Sequence, residues 1–461
     1  MAGRNGIIAS FPNMMLGISG ARGIVDDGLT PSVAARLSAA FARICHDGDI
    51  IIARDSRVSG DALVNSAAAG VCSAGNDSLY AGILTTPGTQ ILVEETGAAG
   101  GIMVTASHNP PEWNGLKFIG SDGAFLGLEA VNEVYRDAAL STNTEITWDA
   151  WKTMRSLSGG NAVHLRKVID SGMVDLDAVR RRRYTVVIDT NRGAAGPVFR
   201  RLGHVLDLNV IILGEETTGF FIHGAEPIPE HLSSLSDVVR SSHADFGAAV
   251  DPDGDRLVFC LSDGRILSEE ATLPLVAEAV LADTEGPVVT NLSTSSMIES
   301  VGDRHNIPVH RTAVGEAHVV SAMREHAAVF GGEGNGGVIV PRIHYGRDAV
   351  VGLALVLSYL SVSGNTLADT WDSIPRRFMK KAKLPRGSES LDQVFRAFVK
   401  SFAHTEVNKT DGIRLSTENE WIHVRPSNTE PVLRIVVEAP DEIRLQEIMN
   451  QAHEIIGASH D

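Results

Sequence analysis

The sequence predicts an α/β protein made of three similar domains with mixed, largely parallel sheets, followed by a C-terminal α+β domain. Segments with apolar residues at helical spacing alternate with short apolar strands along most of the chain, as is typical of parallel sheets covered by helices. The 461 residues are too many for one compact domain. After residue 371 the alternation gives way to one helix, two apolar strands and a closing helix.

The first helix and strand show the pattern clearly. Apolar residues recur at helical spacing from Val33 to Ile44 behind Pro31, and the apolar strand Ile50 to Ile52 follows. We predict later strands at 79–84, 101–104, 184–189, 210–213, 246–250, 287–290, 328–330, 421–424 and 433–437. The predicted domains are therefore residues 1–155, 156–262, 263–370 and 371–461.

The net charge of −17 argues against a nucleic-acid partner, because binding to a phosphate backbone needs a basic surface. An anionic substrate must instead meet local basic groups. Two basic clusters, Arg180 to Arg183 and the group Arg376, Arg377, Lys380 and Lys381, are predicted to be solvated faces or interdomain surfaces.

The cysteines and the apolar segments indicate a cytoplasmic protein without a membrane partner. Cys45, Cys72 and Cys260 are odd in number and widely spaced, which supports neither a disulfide framework nor a zinc site. The most apolar stretch, 349–362, is shorter than the ~20 residues that span a bilayer, so we predict a buried helix there.

Ser107 is the first candidate functional residue, since it lies in a polar loop directly after the apolar strand 101–104. Open α/β sheets bind ligands at the carboxyl ends of their strands, where a serine can act as a nucleophile. The loop is not the nucleophile elbow of hydrolases, because Thr105 and Asn109 stand where glycines are needed. Taken alone, a turn-forming serine is the more common explanation.

Asp251, Asp253 and Asp255 follow another apolar strand at alternating positions and offer the hard oxygen ligands that Mg²⁺ or Ca²⁺ prefers. An EF-hand is disfavoured, because Arg256 replaces the required glycine and Ser262 the closing glutamate. A solvated acidic turn and the catalytic aspartate of a haloacid-dehalogenase-type enzyme remain alternatives.

Two further loops carry weaker signals. The segment 331–337 is too rich in glycine for regular structure, and its Glu333 and Asn335 could bind sugar hydroxyls, although such loops are often plain turns. The segment 425–434 offers two guanidinium groups, two hydroxyls and an amide, a set suited to a phosphate dianion. Its alternative is an ordinary polar loop.

Together the four loops resemble the α-D-phosphohexomutase superfamily, which includes phosphoglucomutase, phosphomannomutase and phosphoglucosamine mutase. The resemblance runs nearly end to end and also includes the segments 17–23 and 54–57. It implies a Mg²⁺-dependent isomerase of carbohydrate metabolism with its active site in a central cleft. The phosphoserine and aspartate motifs are the most specific of the matching segments.

The resemblance implies that Ser107 carries a phosphoryl group and that Mg²⁺ is held by this phosphate with Asp251, Asp253 and Asp255. The enzyme would phosphorylate a hexose phosphate to a hexose 1,6-bisphosphate, which turns over and returns its other phosphate to Ser107. Arg22 and Lys117 would lie beside the reacting oxygen. The remaining implied roles are support of the first two loops by His108 and Arg256, orientation of the sugar by Glu333 and Asn335, and binding of its phosphate by Arg425, Ser427, Asn428, Thr429 and Arg434.

The chain departs from many members of the superfamily at Ile18, Asn335 and Gly337, where Thr, Ser and His are common. A histidine sometimes invoked as an acid/base group is thus absent, which leaves proton transfer to Lys117 and Arg22. The Gly-Asn-Gly-Gly variant resembles members often labelled phosphoglucosamine mutases. It makes glucosamine phosphate the first expected substrate, with mannose or glucose phosphate as the alternative.

Two other functions compete with the mutase. A haloacid-dehalogenase-type sugar phosphatase would use Asp251 as its nucleophile, but it leaves Ser107 and Arg425 unexplained. A non-catalytic sugar-phosphate sensor is expected to have lost part of the catalytic set, whereas the serine, the three aspartates, the lysine and the arginines are all present here. The oligomeric state does not follow from the sequence.

Overall fold

The computed structural model describes residues 10–140, 146–385, 390–403, 405–427 and 432–457. The strands are β1 Met14–Gly17, β2 Gly20–Val25, β3 Gly28–Leu29, β4 Ile50–Arg54, β5 Ser78–Ile83, β6 Gly100–Val104, β7 Trp113–Gly120, β8 Met154–Ser156, β9 Thr185–Asp189, β10 Asn209–Leu213, β11 Phe246–Val250, β12 Leu257–Leu261, β13 Val288–Asn291, β14 Val309–Thr312, β15 Phe330–Glu333, β16 Gly337–Ile339, β17 Phe378–Pro385, β18 Glu406–Asn408, β19 Ile413–Ser416, β20 Trp421–Pro426 and β21 Val432–Ala439.

In the described part of the chain, α-helices alternate with these strands over the first three sheets. They are α1 Pro31–Ile44, α2 Gly60–Ser73, α3 Thr86–Thr96, α4 Leu128–Leu140, α5 Gly160–Asp170, α6 Leu176–Arg182, α7 Gly196–Val205, α8 Ser233–Ser241, α9 Thr272–Leu281, α10 Met297–His305, α11 Glu316–Glu325, α12 Ala349–Ser363, α13 Leu367–Ser373, α14 Leu391–Ser401 and α15 Glu442–Gly457.

The first three sheets repeat one four-strand unit. Its order is β5-β4-β6-β7 in the first sheet, β10-β9-β11-β12 in the second and β14-β13-β15-β16 in the third. In each unit three parallel strands are joined by a fourth, antiparallel strand. The first sheet continues through β2 and β1 on one side and β8 on the other. The predicted fold of three similar mixed α/β domains is confirmed.

The loop that joins the third strand to the fourth occupies the same place in all three units. It holds Ser107 between β6 and β7, the three aspartates between β11 and β12, and Asn335 between β15 and β16. Each loop lies at the carboxyl end of a parallel strand, the edge where such sheets bind ligands. The repeat is thus one of topology and of loop position.

The C-terminal sheet is antiparallel throughout, in the order β17-β21-β20-β19-β18. Helices α14 and α15 cover one face, where Phe398, Ile448 and Met449 pack on Val424 and Ile435 of the strands. Burial of these side chains stabilises the domain by roughly 1.5–3 kcal/mol for each fully buried residue. The predicted α+β class of this domain is confirmed.

Helix α12 is apolar on all sides because it lies inside the protein. Leu353, Val356 and Leu357 pack into a core shared by the second and third sheets, with Phe259 and Phe330. The predicted buried helix is confirmed. Among the described residues no single helix is long and apolar enough to cross a membrane; α12 and α13 reach the length only together, with a bend of 92° between them.

The structure corrects the prediction for 328–337. The strand begins at Phe330 and includes Gly331, Gly332 and Glu333, and a second strand begins at Gly337. The glycines allow this pairing, since a Cβ on Gly332 would lie 2.2 Å from the carbonyl oxygen of Gly337. The segment is therefore a tight hairpin, with half-buried Asn335 in its turn.

The four sheets occupy residues 14–156, 185–261, 288–339 and 378–439. Strand β8 pairs with β5, so the first sheet runs one residue past the predicted boundary at 155. The boundaries at 155, 262 and 370 stay predictions.

Candidate active site

A cleft of about 440 Å³ lies where the four domains meet. Its wall includes His108 from the first domain, Arg256 from the second and Glu333 from the third. Lys381, Lys383, Arg425 and Arg434 of the fourth domain complete it. An acidic chain thus gathers five cationic side chains around one cavity, as an anionic substrate requires.

Ser107 lies three residues beyond β6, with its side chain buried beside the second domain. Its φ of 51° places it in the left-handed region, which is costly for a residue other than glycine. Its amide donates to Thr105 Oγ1 (2.9 Å), and its hydroxyl donates to Asp251 Oδ2 (2.7 Å). The loop therefore holds the hydroxyl against the acidic cluster.

Buried Arg57 holds the backbone of the Ser107 loop in this conformation. The fully buried guanidinium donates to the carbonyl oxygens of Ser107 (2.7 Å) and Asn109 (2.6 Å), and to those of Pro110 and Trp113. Its Nε also donates to Asp55 Oδ2 at 3.0 Å. Because one charged side chain satisfies four carbonyls of the loop, the strained backbone at Ser107 is held in place.

The three aspartates form a buried cluster whose ligand oxygens lie within 4.8 Å of one another. Asp251 accepts hydrogen bonds on both carboxylate oxygens, Oδ2 from Ser107, whereas Asp253 and Asp255 each accept on one oxygen only. Asp251 Oδ1 accepts from the amides of Asp255 and Arg256, Asp253 Oδ2 from Thr86 and Lys117, and Asp255 Oδ2 from Lys117 and Arg347. Asp253 Oδ1 and Asp255 Oδ1 are buried without a partner.

This oxygen set fits a hard divalent cation, because one oxygen of each aspartate lies within 4.8 Å of the others and two of the carboxylate oxygens are buried without a partner. The cluster could therefore hold Mg²⁺. Without a cation, burial and the neighbouring Asp255 and Asp253 raise the pKa of Asp251 well above its usual range. For Asp253 burial acts in the same sense, but Lys117 and hydrogen bonds outweigh it and lower the pKa.

Lys117 lies in β7 with its ammonium nitrogen 2.7 Å from Asp253 Oδ2 and 3.2 Å from Asp255 Oδ2. Burial acts to lower its pKa, but the two aspartates outweigh burial and raise it, so the side chain stays protonated. Burial lowers the pKa of Arg22, whose Nη1 donates to Asn109 Oδ1 at 3.2 Å. Burial and the nearby Arg256 lower the pKa of His108 well below its usual range, which leaves a neutral imidazole 3.4 Å from Ser107 Oγ.

Glu333 ends β15 with its carboxylate fixed on two sides. Its Oε1 accepts from Asn291 Nδ2 (2.8 Å) and from the amide of Gly315 (3.0 Å), and its Oε2 faces Arg347 Nη1 at 3.4 Å. Asn335 lies at the turn, and its Oδ1 accepts from the amide of Gly337. Both residues line the cleft.

Three cationic residues form a row across the C-terminal sheet. Lys383 of β17 is paired with Arg434 of β21, which is paired with Arg425 of β20. Like charges directly opposite one another are destabilising, so this row is suited to a bound anion. The amide of Ser427, just after β20, donates to the carbonyl of Val432. The predicted residues Asn428 and Thr429 lie outside the described residues.

Models of the phosphoglucomutase/phosphomannomutase family match four successive segments: its α/β/α domains I, II and III over residues 13–145, 162–264 and 268–378, and its C-terminal domain over residues 379–455. The chain belongs to this family.

Individual relatives agree. A phosphoglucomutase/phosphomannomutase of Thermococcus kodakarensis is 32% identical over 445 residues, which cover 94% of this chain and 96% of that one. A protein of Methanopyrus kandleri named "Probable phosphoglucosamine mutase" is 33% identical and covers 95% and 97%. A solved structure of a phosphoglucomutase/phosphomannomutase family protein from Burkholderia thailandensis has a TM-score of 0.83 at 25% identity and covers 97% and 99%.

The chain is therefore a phosphohexomutase, an enzyme of the isomerase class, and the resemblance seen in its sequence is confirmed. This membership sets aside the sugar phosphatase and the non-catalytic sensor as functions of the whole protein.

Sequence reasoning missed several residues of the phosphohexomutase site. Lys381 belongs to a cluster predicted to be solvated or interdomain surface; the structure places it half-exposed in the cleft, where it pairs with Glu269 and Glu270 (both 2.8 Å) and donates to the carbonyl of Gly334. Its position depends on how the fourth domain packs on the third, which no local pattern records. Lys383 was missed for the same reason. Arg347 and Glu316 were missed because the ion pairs of Arg347 with Asp255 and Glu316 join residues far apart in the sequence.

Thr86 could have been found from the sequence. It begins α3 just after β5, at the same sheet edge as Ser107, and its hydroxyl donates to Asp253 Oδ2 at 2.6 Å. A Thr-Thr-Pro segment after an apolar strand is typical of a helix start at a ligand-binding edge.

Proposed function

We propose that this phosphohexomutase interconverts glucosamine 6-phosphate and glucosamine 1-phosphate in the cytoplasm through a phosphoserine at Ser107. The observation that carries the proposal is the 2.7 Å contact between Ser107 Oγ and Asp251 within a cluster suited to Mg²⁺. The relatives named as phosphoglucosamine mutases support the sugar, and the three free cysteines support the compartment.

Both phosphoryl transfers of the proposed reaction take place in one active site. The hexose hydroxyl oxygen attacks the phosphorus on Ser107, the bond to Oγ breaks, and a hexose 1,6-bisphosphate forms. After it turns over, Ser107 Oγ attacks the other phosphate and releases the isomer. Mg²⁺ held by Asp251, Asp253 and Asp255 would neutralise phosphate charge.

The side chains divide the remaining work. Protonated Lys117 and Arg22 stabilise charge on the reacting oxygens, and neutral His108 is suited to accept the hydroxyl proton. Glu333 and Asn335 bind sugar hydroxyls. Arg425, Ser427, Asn428, Thr429 and Arg434 bind the phosphate that does not react, and Arg256 supports the aspartate loop. The partner is thus a small hexose phosphate, and we propose no nucleic-acid or membrane role.

The test compares turnover of glucosamine, glucose and mannose 6-phosphates by the same preparation, with Mg²⁺ and the matching bisphosphate. We expect kcat/KM for glucosamine 6-phosphate to exceed the others by about tenfold or more, or ~1.4 kcal/mol in the transition state. The Thermococcus kodakarensis relative favours the second candidate, a phosphomannomutase/phosphoglucomutase. Higher kcat/KM on mannose or glucose phosphate would establish it instead.

A further inference from the structure

Gly337 and Arg347 share one space behind the hairpin that carries Glu333. A Cβ on Gly337 would lie 2.2 Å from Arg347 Cδ and 2.9 Å from its Cγ, far closer than carbon atoms can approach. Gly337 lies in strand β16, where other residues are ordinarily accepted. The backbone conformation therefore does not require a glycine at position 337. The aliphatic part of the Arg347 side chain does, because it leaves no room for a Cβ there.

The guanidinium of Arg347 joins three carboxylates from two domains. Nη2 donates to Asp255 Oδ2 at 2.7 Å, Nε to Glu316 Oε2 at 2.8 Å, and Nη1 lies 3.4 Å from Glu333 Oε2. Arg347 is 8% exposed. These contacts link a residue of the proposed metal cluster to a residue of the proposed sugar loop.

The backbone of Arg347 is fixed as firmly as its side chain. The next residue, Asp348, donates its amide to Val338 of β16 and caps helix α12 by accepting from the amides of Val350 and Val351. Asp348 also contacts His164 Nε2 at 2.7 Å. The guanidinium is therefore held at a set position between the two loops.

We propose that Arg347 is a positioning residue that couples Asp255 to Glu333, and that glycine is required at 337 because Arg347 fills the space of any side chain there. The inference rests on the roles proposed for Asp255 and Glu333. By occupying Asp255 Oδ2, Arg347 leaves Oδ1 to face the metal position. By facing Glu333 Oε2, it fixes the carboxylate toward the sugar.

The planar guanidinium group of Arg347, with all three nitrogens hydrogen-bonded to carboxylates, is central to this role. A lysine ammonium at 347 could meet one or two of the carboxylates, but it cannot reproduce the planar arrangement. An arginine is not deprotonated in proteins, so the guanidinium of Arg347 keeps its charge between the three carboxylates.

The first experiment replaces Arg347 by Met or Lys and measures Mg²⁺ binding by calorimetry without sugar, besides kcat and KM. We expect Arg347→Met to weaken Mg²⁺ binding about 10- to 100-fold, as loss of a residue that orients a metal ligand does. We expect kcat/KM to fall about 100-fold through misplacement of Glu333. Arg347→Lys should recover part of both. Arg342→Met, at an exposed arginine of the neighbouring turn, is the control.

The second experiment compares Gly337→Ala, Arg347→Ala and the double variant. Alone, Gly337→Ala should displace the stem of Arg347 and lower Mg²⁺ affinity and kcat/KM. In the Arg347→Ala background Cγ and Cδ are gone and only the Cβ of residue 347 remains, 3.2 Å from the added methyl group, so this methyl group should cost far less than in the parent. This non-additivity is expected only where two residues compete for one space. The Gly337→Ala single variant retains Arg347 and its ion pairs, so its effect can be measured even if the Arg347 variants fold poorly.

The inference is overturned if Gly337→Ala is harmless in the parent, if its effect is equal in both backgrounds, or if Arg347→Met binds Mg²⁺ like the parent. Glu333→Gln and Asp255→Asn separate this outcome from a failure of the proposed function. Parent-like activity in these two variants would refute the roles proposed for them, whereas the competition between Gly337 and Arg347 would still be read in Mg²⁺ affinity and thermal midpoint.

Discussion

Ser107 Oγ donates a 2.7 Å hydrogen bond to Asp251 Oδ2 across a separation of 144 residues. The two residues lie at equivalent places in successive four-strand units, each just beyond the third strand. Packing one unit against the other therefore brings a hydroxyl to a cluster of carboxylates. The reaction that we propose depends on this contact.

We expect Ser107→Ala to lose activity by at least ~10³, or ~4 kcal/mol of transition-state stabilisation, even with hexose bisphosphate supplied. Peptide mass mapping of the parent should find phosphate on Ser107. Ser121→Ala, at an exposed serine of the same domain, is the matched control. Phosphate on Asp251 instead, or normal turnover by Ser107→Ala, would refute the assignment of the carrier.

Asp253→Asn should leave the fold intact and reduce activity by at least ~10³, again ~4 kcal/mol. The substitution keeps the shape of the side chain but weakens the oxygen that Asp253 offers to a cation, and it relieves repulsion among the three carboxylates. When Mg²⁺ is titrated, the activity of Asp253→Asn should depend on the metal less strongly than the activity of the parent does.

The control for this prediction is Asp263→Asn, since Asp263 belongs to the same domain and is half-exposed in a turn with Arg265. It should behave like the parent. A parent-like Mg²⁺ dependence in Asp253→Asn, or full activity of the parent in chelator, would exclude a metal site at the aspartates.

The sequence predicted those parts of the site that depend only on the order of strands and loops along the chain. Short apolar strands followed by polar loops placed Ser107 and Asp251 at sheet edges, because strand direction alone decides where a loop emerges. It did not predict Lys381, Lys383 or Arg347. These side chains make their contacts where one domain packs on another. The residues around a lysine or arginine in the sequence do not show whether its side chain contacts a neighbouring domain or solvent.

Arg425→Ala should weaken apparent affinity for the 1-phosphate and the 6-phosphate alike, by about 2 kcal/mol or more, roughly 30-fold. Arg425 lies in the row with Arg434 and Lys383. In the proposed cycle this row holds the phosphate that does not react, in both halves of the reaction. Lysine should rescue only partly. The variant should also release more bisphosphate, which isotopically labelled substrate and an unlabelled trap would measure.

Arg396→Ala serves as the matched control, because Arg396 is exposed on helix α14 of the same domain. Loss of affinity for one phosphate isomer alone, without added release of label, would show that this row serves only one orientation.

His423 gives the protein a predictable response to acid. It is buried in β20, its Nε2 donates to the carbonyl of Asp411 (2.6 Å), and Ser293 of the third domain lies 2.8 Å from its Nδ1. Since a carbonyl can only accept, the neutral ring carries its proton on Nε2 and accepts from Ser293 at Nδ1. Burial lowers the pKa of His423 to about 4.

Because the folded-state pKa lies below the unfolded value near 6.5, the unfolded chain binds more protons between these two values. The stability that neutral His423 provides is thus complete above pH 6.5 and is lost as the pH falls toward 4, by on the order of 3 kcal/mol. Chemical denaturation at pH 7.5, 5.5 and 4 should show this loss in the parent and a smaller one in His423→Gln. His453→Gln, at an exposed histidine of α15, should keep the parent's profile. If His423→Gln lost as much stability as the parent over this range, the loss would arise from other groups, and the buried neutral imidazole would not be its cause.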